Sequence, residues 1–102
     1  MSKLVRDRIP DLIRASGAEP ITHRATAPEY THQLRAKLQE EVDEFLTADP
    51  AGAVEELADI IEVVYALAAD LGATSESLDA TRATKAAERG AFTTRTIWSG
   101  NR

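Results

Sequence analysis

Apolar residues recur at helical spacing along most of this chain, and the pattern is cut each time by glycine or proline. Between Glu29 and Thr47, Leu34, Leu38, Val42, Phe45 and Leu46 fall on one stripe, which predicts an amphipathic helix. Asp49-Pro50 breaks that pattern, and the proline is well placed to begin a second helix from about Ala51 to Leu71, stopped by Gly72. In this second helix, residues such as Val54, Leu57, Ile61, Val63, Val64 and Tyr65 cover well over half the circumference. That is more than one neighbouring helix buries, so self-association into a homo-oligomer, a dimer or a tetramer, is expected. Thr74 or Ser75 is placed to cap a third helix that runs to Arg89 and stops at Gly90.

The ends are less regular. Lys3 to Ser16 predicts a short helix, with Pro10 either in its first turn or interrupting it and Gly17 as the stop. Ala18 to Pro28 reads as an irregular connector. The stretch from Phe92 to Trp98 alternates loosely and is rich in threonine, which suggests a short strand or an extended arm. Trp98 and Tyr30 are expected to anchor that tail to the helices rather than to stack on a base. The expected fold is all-α: an antiparallel helical bundle in a single domain over residues 1–102, with a short N-terminal helical piece and an extended C-terminal tail.

Charge changes this picture. The net charge of −5 conceals a polarised chain: residues 1–37 carry +3, residues 38–81 carry −12 with no Lys or Arg, and residues 82–102 carry +4. An acidic middle of this kind repels itself unless cations or the basic flanks neutralise it. Net charge and the lack of a basic-aromatic stripe disfavour nucleic acid as a partner. No apolar run approaches the ~18 residues needed to span a membrane, no apolar leader follows Met1, and a cytoplasmic location is the expectation. With no cysteine, metal ligands must be oxygen or imidazole.

Two acidic pairs carry the candidate chemistry: Glu41 with Glu44, and Glu56 with Asp59. Each is spaced i, i+3, so each stacks two carboxylates on one helix face. The short Ala48–Gly52 turn predicts antiparallel helices, which brings the two pairs face to face. Glu41 falls inside the Leu34/Leu38/Phe45 stripe, where a carboxylate is costly to bury without a cation. Convergent oxygen ligands suit Mg²⁺, or Mn²⁺. Glu40, Asp43 and Glu62 read equally well as solvated or as supporting residues. His23 and His32 lie outside the acidic pairs and are given no ligand role. No glycine-rich phosphate loop and no serine–histidine–acid set is recognisable.

The run Lys37 to Phe45 (KLQEEVDEF), followed by Glu55 to Glu62 (EELADIIE), resembles the MazG-like all-α nucleoside triphosphate pyrophosphohydrolases. That family is marked by an ExxE pair and, about a dozen residues on, an ExxD pair. Glu41, Glu44, Glu56 and Asp59 match these positions. The opening Lys3 to Pro10 resembles the start of small stand-alone members. Lys85 to Phe92 resembles the K…RGGF stretch of those members and of phosphoribosyl-ATP pyrophosphohydrolases, with Ala91 in place of the second glycine.

The resemblance implies magnesium-dependent hydrolysis of a nucleoside triphosphate to monophosphate and pyrophosphate, by cleavage between the α- and β-phosphates. House-cleaning of non-standard nucleotides is one setting for such an activity. Glu41, Glu44, Glu56 and Asp59 are then the expected metal ligands, with Glu41 also orienting the attacking water. Lys85 and Arg89, one helical turn apart, are the first candidates for phosphate contacts, and Arg6 and Arg8 the second. Two alternatives stay open: a phosphoribosyl-ATP pyrophosphohydrolase of histidine biosynthesis, and a non-catalytic helical binding or regulatory module.

Overall fold

The computed structural model describes residues 2–102 and contains four helices, with no strand among the described residues. They are α1 (Ile9–Ala15), α2 (Ala27–Thr47), α3 (Pro50–Asp70) and α4 (Ser75–Arg89). Local chemistry sets several of their ends. At α2 the Thr26 side chain accepts from the Glu29 amide at 3.3 Å, with Pro28 in the first turn. At α4 Thr74 and Ser77 cap each other reciprocally, both bonds at 3.0 Å. Gly17 and Gly72 follow α1 and α3 at φ +97° and +87°, a region where a side chain is strained.

The dominant packing unit is the α2/α3 hairpin. Ala48 and Asp49 are both extended, and two such residues suffice to reverse the chain before Pro50 restarts the helix. Two 21-residue helices, each about 31 Å long, therefore run antiparallel and make the principal interhelix contact. Leu34 (2% exposed) with Val63 and Ala68 forms the small apolar core between them.

At the ends, the short N-terminal helix with Pro10 in its first turn and the extended-arm alternative for the tail are found, and the other expectations need correction. Helix forms only from Ile9, because Pro10 suits a first turn and not an interior, so Lys3 to Arg8 stays non-helical. The tail has no strand and no anchor on the helices. Trp98 is 78% exposed and donates its indole N–H to Asn101, three residues away. Thr94 and Thr96 likewise bond each other, so the tail meets its hydrogen-bonding needs locally.

α4 touches only α3 among the helices, and sparsely. The radius of gyration is 17.7 Å, against about 13 Å for a compact chain of this length, and the longest dimension is 62 Å. The broad apolar face of α3 consequently stays open: Val54, Leu57, Ile61 and Tyr65 retain 74%, 43%, 50% and 45% of their surface.

With so small a core, Leu34→Ala should cost about 2–4 kcal/mol in urea unfolding, while Thr74→Ala, which removes the α4 cap, should cost about 1 kcal/mol. A Leu34→Ala loss below that of Thr74→Ala would show that the hairpin seam does not carry the fold.

Candidate metal centre

The acidic residues meet where the hairpin turns. Glu41 lies nearly two turns before the end of α2, and Glu56 and Asp59 lie in the second and third turns of α3. One oxygen from each of these three carboxylates lies within 4.8 Å of the other two. Glu41 is 7% exposed and is the one buried charged side chain among the described residues; Glu56 and Asp59 are half-buried. Its position, seven residues after Leu34 on the same stripe, puts it in the seam.

Glu44 stands one turn on, more exposed, and does not join that group of three oxygens. It still acts on the site through charge. Burial pushes the Glu41 carboxyl above its usual range and the negative charge of Glu44 adds to that, while Lys37 opposes both. Lys37 Nζ lies 3.4 Å from Glu41 Oε1 and 3.4 Å from Glu40 Oε2. Burial also works to raise Glu40, but Lys37 and then Lys3 outweigh it, and that carboxyl is held low.

The hydrogen bonding leaves a gap. Glu41 Oε2 and Glu56 Oε2 are buried and have no hydrogen-bond partner. Buried carboxylate oxygens are rarely left so, and a divalent cation would satisfy both at once. The donor set is all hard oxygen, which fits Mg²⁺ or Mn²⁺ better than a soft metal.

Beside the acids lies a cavity of about 390 Å³, walled by α2, α3 and the N-terminal segment. Arg6, Tyr30, Lys37, Glu41, Asp59 and Glu62 are among its lining residues. Of the basic residues singled out from the sequence, Arg6 is at the site, its Nη2 2.6 Å from Asp59 Oδ1. Arg8, Lys85 and Arg89 do not line the cavity, and all three are exposed. α4 leaves from the opposite end of α3, which carries its bases away from the acids within one protomer.

Sequence reasoning missed Lys37, although its i, i+4 spacing to Glu41 signals it. Tyr30, expected to anchor the tail rather than to stack on a base, stands on the cavity wall. Of the ambivalent acids, Glu62 lines the cavity, Glu40 bridges Lys3 and Lys37, and Asp43 accepts from the Gln39 amide.

An antiparallel helix hairpin with carboxylates converging across its seam is the arrangement expected of the MazG-like all-α nucleoside triphosphate pyrophosphohydrolase superfamily. The chain belongs, within it, to the phosphoribosyl-ATP pyrophosphohydrolase family, whose family model matches residues 9–86. An uncharacterised protein of Mycolicibacterium smegmatis is 52% identical over 56 residues, a stretch that covers 55% of this chain and 57% of that protein's length. No solved structure matches the chain. No helix is long and apolar enough to cross a membrane among the described residues.

Because the buried Glu41 carboxyl titrates high, its charged form opposes folding of the metal-free protein at neutral pH, and the opposition fades as pH falls through that raised value. Glu41→Gln should therefore stabilise the metal-free protein at pH 7, with an advantage that shrinks as pH falls through the raised value. Thermal midpoints of both proteins in a chelator across that range measure it, and a constant difference would assign the effect to packing rather than charge.

Proposed function

We propose that the chain is a Mg²⁺-dependent nucleotide pyrophosphohydrolase that cleaves the α–β phosphoanhydride of a nucleoside triphosphate to give the monophosphate and pyrophosphate. The observation that carries this reading is the meeting of Glu41, Glu56 and Asp59 with two buried carboxylate oxygens left without partners. Those three residues would hold the cation, with Glu44 joining from one turn away. Bound there, a divalent cation would screen the phosphate oxygens and favour ionisation of water.

The chain's own groups supply the rest. Glu41, the buried member of the acidic set, would also orient the attacking water. Arg6 and Lys37 are the cations on the cavity wall available to phosphate oxygens. Tyr30, on the same wall, offers an aromatic face to a base. Arg8, Lys85 and Arg89 remain candidates for phosphate contact; because α4 stands off the cavity, its bases would serve a neighbouring copy of the chain. The open row on α3 supports such self-association, since four large apolar side chains half-exposed along one face are unusual on a monomer. A nucleotide substrate of this class supports a cytoplasmic location.

A second reading, the same bond cleaved in phosphoribosyl-ATP, is supported as well by the family match over residues 9–86. It differs in the substrate beyond the phosphates and shares every acidic residue.

Pyrophosphate release from a panel of ordinary and modified nucleoside triphosphates and phosphoribosyl-ATP, with and without Mg²⁺, tests both. Release should require the metal and fall roughly a hundredfold or more in Glu41→Gln. Turnover of phosphoribosyl-ATP alone selects the second reading, and no release from any substrate leaves a helical binding module. For the assembly, Ile61→Asp should convert the protein to monomer in sedimentation analysis. An unchanged mass would place the interface elsewhere or show that none forms.

A further inference from the structure

The segment ahead of α1 is held to the rest of the protein by side chains. Among the described residues it makes no backbone hydrogen bond to α2 or α3. Lys3 reaches Glu40 at 3.5 Å, Arg6 reaches Asp59 at 2.6 Å, and Leu4, Val5 and Asp7 wall the cavity. The stronger of its two ion pairs is thus made to a carboxylate of the candidate metal centre itself. The Arg6 side chain is 55% exposed, so little packing holds it in place.

We infer that Arg6 is a built-in competitor of the divalent cation, its guanidinium holding Asp59 in the metal-free protein and being expelled when the cation takes that carboxylate. The inference rests on the metal centre proposed above. Both cations use the same small anionic group, and a guanidinium within hydrogen-bonding distance of it lies close enough to a bound divalent ion to be strongly repelled. Lys37 is placed differently. It is fixed by the α2 backbone, largely buried, and paired to Oε1 of Glu41, leaving the partnerless Oε2 free, so it can stay while a cation binds. Of the two cations on the cavity wall, only Arg6 sits on the N-terminal segment rather than on a long helix.

Two consequences follow from linkage. Whatever weakens the hold of Arg6 on Asp59 must tighten metal binding by the same factor, and metal must loosen the segment. Once expelled, Arg6 remains tethered at the cavity mouth with its charge unpaired, available to an incoming phosphate. The order of binding is then cation first, with the phosphate recruiting the arginine that the cation released.

The test compares wild type with Arg6→Gln, Arg6→Lys and Arg8→Gln. The last removes the same charge two residues away, at an arginine that lines no part of the cavity. Calorimetric titration with Mn²⁺ should show Arg6→Gln binding about fivefold or more tighter than Arg8→Gln, with Arg6→Lys within about twofold of wild type. In parallel, trypsin should cut the wild-type segment after Arg6 and Arg8 faster when Mn²⁺ is saturating. Equal affinities in Arg6→Gln and Arg8→Gln, or slower cleavage with metal, would overturn the competition while leaving the metal centre standing. Absence of Mn²⁺ binding in all four proteins would overturn both.

Discussion

One buried carboxylate sets the terms for this protein. Glu41 occupies a position in the α2 stripe that an apolar residue would fill in an ordinary hairpin, and the seam closes over it. The cost of burying that charge is met only in part by Lys37, a single cation shared with Glu40. Across the seam, the second and third turns of α3 present two more acids rather than bases. The hairpin therefore concentrates negative charge at the turn end and keeps its small apolar core further along, around Leu34, Val63 and Ala68. Stability and site are divided between neighbouring turns of one helix pair, with Leu34 and Val63 lining the same cavity as Glu41 and Asp59.

That division explains how the remaining segments behave. A core of this size cannot also hold α1, α4 and the tail, and each relies on local means: caps and glycine stops at the helix ends, hydroxyl and amide bonds within the tail. The N-terminal segment is the exception, because it is drawn to the acidic end by charge. Its lysine and arginine supply the positive charge that the residue 38–81 segment entirely lacks. The exposed row on α3 has the same origin, being a helix apolar on two sides with only α2 along one of them.

The helices were legible in the sequence because their signals are local. The break at Asp49-Pro50, the cap at Thr74 and the stops at Gly17, Gly72 and Gly90 act on neighbouring backbone groups, and observed bounds fall within a residue or two of those expected for the second and third long helices. Intrusion of Glu41 on an apolar stripe was equally readable, since a helical wheel needs no tertiary knowledge. The two-residue reversal then made the meeting of Glu41 with Glu56 and Asp59 close to a geometric consequence. Helix ahead of Ile9 failed for a local reason, since Pro10 suits only a first turn, whereas the strand alternative for the tail failed because a strand depends on what the rest of the chain offers as a partner.

Only the tertiary structure decided which charges share a space. Arg6 and Asp59 are 53 residues apart, and nothing in either neighbourhood distinguishes that arginine from Arg8. The exit direction of α4, which takes Lys85 and Arg89 away from the cavity, likewise depends on packing that no residue of α4 encodes alone. Glu44 matched its pattern as well as Glu41 did, yet the hairpin admits one carboxylate of that pair to the seam and leaves the other at its rim. Periodicity fixes which face a side chain occupies. How deep that face is buried, and opposite what, is set by long-range contacts that a one-dimensional pattern does not contain.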